Sequence, residues 1–164
     1  MTDIKYFESQ VFSKEEEISH SEALNRSWYV VCHYTDNHPD FAEVIGHGKV
    51  DRVIYYNRNW PDEALLEKHL SRYENSPFEV ITSSREIETK LIREIYFCNG
   101  IGKLQAITEE HFNHQWDLLI EVRMDANRNI YGTIEYVYNA SGELAIVREC
   151  SPDGTAISEN EYND

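Results

Sequence analysis

The sequence predicts an α+β fold, a mostly antiparallel, curved β-sheet carrying one or two helices. Three features predict it. The carboxy-terminal half alternates apolar and polar residues between short turn signals, which is the period of a strand with one dry face. Aromatic and β-branched residues, with 11 Tyr, 6 Phe and 3 Trp in 164 residues, dominate the apolar runs. Only two segments show helical spacing with no competing strand pattern.

The first is about 14–25, where Ser13 and Glu16 have the spacing of a capping box and Ile18 and Leu24 supply a thin apolar stripe. The second opens at Pro61 with Asp62 and Glu63, and Leu65, Leu66, His69, Leu70 and Tyr73 recur at helical intervals to about 74. Trp28–Tyr34 reads as a strand, followed by turn chemistry at Asp36–Asp40. Residues 41–57 read as a hairpin about Gly46, His47 and Gly48. Phe78–Ser83 is a short strand. The stretch 86–98 fits either period, and its Ile95–Cys98 end and the glycine turn at 99–102 favour strand.

Trp116, Leu118, Ile120, Val122 and Met124 then alternate with polar residues. Turns at 125–129 and 139–142 connect this run to two more, so neighbours must pair as an antiparallel meander. In all, six to nine strands are expected. One domain is predicted over 1–151, with an acidic polar tail over 152–164.

No apolar run approaches the roughly 18 residues that cross a bilayer, and MTDIKYFESQ lacks the pattern of a signal peptide, so a cytoplasmic protein is expected. Cys32, Cys98 and Cys150 are far apart and odd in number, and read as buried free thiols. Formal net charge is −15. The acid surplus is four over residues 1–25, two over 26–103 and nine over 104–164. Such a field repels phosphates and anionic lipid and speeds encounter with a basic protein. Nucleic acid and membrane are therefore not expected as partners.

Few motifs carry chemistry. Glu110, His111 and His114 are the most metal-like group, since histidines three apart share a helix face, and would serve a metal-dependent hydrolase. The spacing departs from known zinc motifs and names no third ligand, so no metal or cofactor is expected. Cys32 and His33, adjacent on a strand, point to opposite faces and cannot act as a nucleophile and its base. Trp28, Tyr29, Tyr55, Tyr56 and Trp60 are candidates for an aromatic-lined small-ligand pocket. For a basic protein partner, the candidate contacts are Glu109, Glu110, Asp117, Glu121 and Asp125.

Tyr138, Asn139, Gly142, Leu144 and Val147, with Pro152 and Gly154 beyond, resemble one unit of the tyrosine–aspartate repeats of Rhs-type toxin shells, with Asn139 where the repeat has aspartate. This covers 138–154 and carries over no functional residue. As a class, a small acidic chain without catalytic motifs resembles the immunity proteins of bacterial polymorphic toxin systems. That resemblance implies a cytosolic binding protein that neutralises a toxin by occluding its active site, rather than an enzyme.

Overall fold

Residues held at positive φ cut the chain into short strands. In the computed structural model, which describes residues 2–10 and 12–162, they mark most of the turns among thirteen strands, and two helices complete the fold. Backbone contacts cluster into two compact units, Met1–Thr82 with Phe97–Leu104, and Ser83–Tyr96 with Gln105–Asp164. Strands dominate, and all but one of the pairings with a described register are antiparallel.

The first unit contains β1 (Thr2–Phe7), β2 (Glu17–Ile18), α1 (His20–Leu24), β3 (Trp28–Thr35), β4 (His38–Gly46), β5 (Lys49–Tyr56), α2 (Glu63–Arg72) and β6 (Phe78–Ile81). Its strand order is β2, β1, β3, β4, β5, β6. Two-residue turns at Asp36-Asn37 (φ 51° and 66°) and His47-Gly48 (φ 48° and 75°) join β3, β4 and β5. Two successive positive φ values match the twist of the flanking strands. β5 and β6 are parallel, because the α2 crossover separates them.

Side-chain alternation gives this sheet two dry faces. Phe7, Val30, Cys32, Ala42, Val44 and Ile54 form one core cluster, with Phe12, Tyr34, Tyr56 and Ile81 packed against it. On the other face α2 and its C-cap bury Leu65, His69 and Tyr73, at intervals of four, with the His69 ring against Tyr55 and Phe78. Asp62 caps α2 by accepting from the Leu65 amide at 3.0 Å.

The expected first helix is corrected. Ser13 does not cap it; Glu16 N–H donates to Ser13 O in a turn, and Glu8 N–H donates to Glu16 O. The capping box forms six residues later, where Ser19 and Glu22 exchange bonds of 3.2 and 2.8 Å. The glutamates at 15–17 offer no apolar residue to hold a longer helix on the sheet, and only Ala23 of α1 is buried.

The second unit is built from β7 (Arg85–Ile87), β8 (Lys90–Cys98) up to Tyr96, β9 (Leu104–Phe112) from Gln105, β10 (Leu118–Asp125), β11 (Ile130–Tyr138), β12 (Leu144–Cys150) and β13 (Ala156–Glu161). β7 pairs with β8, and β9 to β13 follow one another as antiparallel neighbours. The 86–98 stretch is thus strand, and the meander lies where the alternation put it. Trp116 is not its first strand residue. It sits at φ 69° in the preceding turn and is half exposed. β9 occupies a stretch to which the sequence pattern assigns no element, and β13 lies within the expected tail, whose last two residues are outside the described set.

Turns after β8, β9, β10, β11 and β12 are the same turn five times. They start at Asn99, Asn113, Asp125, Asn139 and Ser151. In each, the amide of the fourth residue donates to the first carbonyl, and the first amide donates to the fifth carbonyl. The fourth residue has a left-handed backbone: Gly102, Trp116, Arg128, Gly142 and Gly154. At the first four turns, the leading side chain also accepts from the third and fifth amides. At the fifth, Asp153 accepts from the Thr155 amide and the Ser151 hydroxyl.

In β10–β13 only Met124, Gly132 and Cys150 are buried, and all of β13 is exposed, so these strands have no second layer on either face. No helix among the described residues is long and apolar enough to cross a membrane. The three cysteines are free and buried, as their apolar settings require, and burial raises the thiol pKa of Cys32 and Cys98 to about 11.

Gly100 packs tightly in the first unit: a Cβ there would lie 2.1 Å from the backbone oxygen of Asn75. Gly100→Ala is expected to cost roughly 1–3 kcal/mol, read by urea unfolding, because a backbone carbonyl cannot step aside as a side chain can. Gly48→Ala, open around its Cβ site, isolates the cost of positive φ alone.

Candidate functional site

Strand alternation divides the five expected contact acids. Glu109 and Glu110 are neighbours on β9 and point to opposite faces. Glu121 lies directly across from Glu110. Asp117 precedes β10 and Asp125 ends it, so these two stand at opposite ends of one strand. The five therefore do not all share one strand face.

Each of them also has an internal partner. His111 Nε2 lies 2.7 Å from Glu109 Oε1, and Arg85 lies 3.8 Å from its other oxygen. Glu110 is 9% exposed and receives the Arg93 guanidinium, which also stacks on Phe112. The Tyr136 hydroxyl donates to Glu121 at 2.6 Å, and Asn113 Nδ2 donates to Asp117 at 2.8 Å. Asp125 accepts from the Asn129 side chain and from the Asn129 and Asn127 amides, and these bonds hold its carboxyl below the ordinary value.

The metal-like group is not assembled. His111 is on β9, whereas His114 falls in the next turn with its Nε2 4.0 Å from Glu86. A helix would have put both on one face, but this segment is strand. Among the described residues no group of three or more His, Cys, Asp or Glu side chains is placed to hold a metal ion. The Nδ1 of His111 is buried without a hydrogen-bond partner.

Nor do the aromatic candidates share a pocket. Tyr55 faces α2, where its hydroxyl is 3.0 Å from His69 Nδ1, and Tyr56 faces the opposite side against Phe12. Trp60 packs edge-on against Phe78, and Trp28 is partly exposed at the start of β3. An open cavity of about 210 Å³ lies instead at the start of α2, lined by Arg58, Asp62, Ala64, Leu65 and Lys68. Arg58 is engaged there by Asp40, and Asp62 by its capping role.

A dense polar cluster belongs to no sequence motif. Glu43, on β4 beneath α2, accepts from the Tyr73 hydroxyl at 2.6 Å and lies 2.8 Å from His33 Nε2, with Arg72 at 3.4 Å. The His33 ring stacks on Phe41 at 4.1 Å, and the Arg72 guanidinium covers both Phe41 and Tyr73. Burial pushes the Glu43 pKa up most strongly, yet the bonds from His33 and Tyr73 outweigh it and the net shift is downward. With both oxygens committed, Glu43 is a clamp between sheet and helix. Its only sequence signal is the alternation of Phe41 and Glu43 on one strand face.

No family model, no curated protein and no solved structure matches this chain.

A depressed carboxylate contributes stability that is complete above its unfolded pKa, about 4.5, and disappears as pH falls through the lower folded value. Glu43→Gln is therefore expected to lose roughly 1–3 kcal/mol near neutral pH, since it weakens three charge-assisted contacts. Unfolding titrations should show that deficit flat above about pH 6 and shrinking below pH 4.5. A deficit that grows on acidification would contradict the clamp.

Proposed function

We propose that this chain is a binding protein for a basic protein partner, and that it neutralises that partner by covering its active site, as the bacterial immunity proteins do. The observation that carries this proposal is the make-up of β11–β13 and their turns. Six carboxylates, Glu135, Glu143, Glu149, Asp153, Glu159 and Glu161, stand on this ribbon against a single cation, Arg148. The ribbon has no covering layer, so its carboxylates face solvent or half-open surface. Arg148 already bridges Glu135 and Glu159 at 3.1 and 2.7 Å.

A field of one sign on an open sheet raises the encounter rate with a cationic surface and repels wrong partners of like charge. It also disfavours nucleic acid and anionic lipid. Lysines and arginines lining the site of an enzyme that handles phosphates would meet matching carboxylates here. The contact region is thus shifted from 109–125, where the expected acids are buried or half-buried, to the strands that follow, where five of the six carboxylates are exposed. In a cytoplasmic setting this is the arrangement of an inhibitor that protects its own cell.

The test is calorimetric titration of the full chain with the basic product of a gene adjacent to its own. The affinity is expected to fall at least about tenfold between 50 and 500 mM salt. The double variant Glu149→Lys/Glu161→Lys should slow association on the order of tenfold while leaving the melting temperature within a few degrees. Affinity insensitive to both salt and charge reversal would overturn the proposal.

A further inference from the structure

The five equivalent turns reveal an internal repeat. Asn99, Asp125 and Ser151 are 26 residues apart, as are Asn113 and Asn139. At the same spacing Phe112 matches Tyr138, Leu118 matches Leu144, and Ile120 matches Ile146. Glu109, Glu135 and Glu161 also occupy one position in successive repeats.

The three glutamates differ in how they are answered. Glu109 has His111 and Arg85. Glu135 has Arg148, one strand further on and directly across from it. Glu161 makes no ion pair among the described residues, and β13 is the edge of the sheet.

The Tyr162 amide donates to Ala145 O at 2.8 Å, directing residue 162 towards β12. In an antiparallel ladder the direction alternates, so the amides and carbonyls of Glu159 and Glu161 point away from β12, along the open edge. Arg148 and Ile146 lie across from Glu159 and Glu161 in register, which puts both carboxylates on one face. The opposite face carries Ser158 and Asn160.

Resting on the reading of the chain as a receptor for a basic partner, we infer that β13 receives an extended, lysine- or arginine-bearing segment of that partner as an added strand. Backbone bonds to residues 159 and 161 supply the pairing. The segment's cations stand opposite Glu159 and Glu161, as Arg148 stands opposite Glu135 and Glu159 on the inner side. A second copy of the chain is refused, because its own glutamates would meet these two at a chain charge of −15.

The test titrates the full chain with a blocked seven-residue peptide of alternating Lys and Val, followed by amide exchange. Two comparison peptides are needed, one with Glu replacing Lys, the other of equal positive charge but with its central Val replaced by Pro. The Lys peptide is expected to bind saturably and slow exchange at Glu159 and Glu161 by at least about tenfold, while the proline peptide binds at least about fivefold more weakly. In the chain, Glu161→Pro should weaken binding further than Glu161→Gln, and Glu149→Lys, on the opposite face, should change it less than about twofold. Equal binding of the two cationic peptides, protection outside 156–161, or no saturable binding overturns the edge assignment. Each of those results leaves the receptor reading to stand or fall on its own salt titration.

Discussion

Asn99, Asn113, Asp125 and Asn139 each fold a side-chain oxygen back onto two amides of their own turn. Most of the second unit depends on that local bond pattern. A sheet packed on a core has its register set by the apolar face, since a slip of one residue would turn that face to water. β10–β13 have little such face to lose, with three buried residues in four strands. Here the turns set the register instead, because a five-residue loop with one left-handed position admits few strand alignments. Cross-strand contacts such as Tyr136 to Glu121 and Arg148 to Glu135 then reinforce the chosen one.

The first unit works the other way. Its hairpins are short, but two packed faces and the α2 crossover determine the register. Glu43 shows how far polar chemistry has entered that packing: a carboxylate beneath a helix is tolerable only because imidazole, phenol and guanidinium converge on it. His69 is fully buried and is satisfied by Tyr55 and the Ser76 carbonyl, while burial depresses its pKa.

Much of this architecture is legible in the residues themselves. The hairpin at 41–57, the helix from Asp62 and the strands at 118–150 follow from alternation, caps and turn residues. β9 is hidden because Glu109, Glu110 and His111 in succession break the apolar alternation of a strand, and only tertiary partners such as Arg93 make a buried Glu110 stable. β13 is hidden because Ala156–Glu161 has hardly an apolar residue and is strand only by virtue of pairing with β12. The placement of the expected contact acids is hidden for a related reason: adjacency in sequence places strand residues on opposite faces, and composition does not reveal which carboxylates are answered internally. The cluster around Glu43 joins residues from 33 to 73, a distance over which no local pattern speaks.

Cations are the scarce partner throughout. Arg26, Arg52, Arg58, Arg72, Arg93, Arg128 and Arg148 are all engaged by carboxylates. Exposed pairs of this kind add little stability one by one. The net surplus they leave is negative, and nine of its fifteen charges fall in residues 104–164.

The 26-residue periodicity has a consequence for how such a molecule can change over time. A strand pair whose alignment is written in its own turns asks little of distant residues, and its energetics approach a sum of unit and neighbour contributions. Whole pairs can then be gained or lost by duplication or deletion without recutting a shared interior. The reach of the ribbon would thereby be an inheritable length, adjustable in steps of two strands while the helical unit stays unchanged.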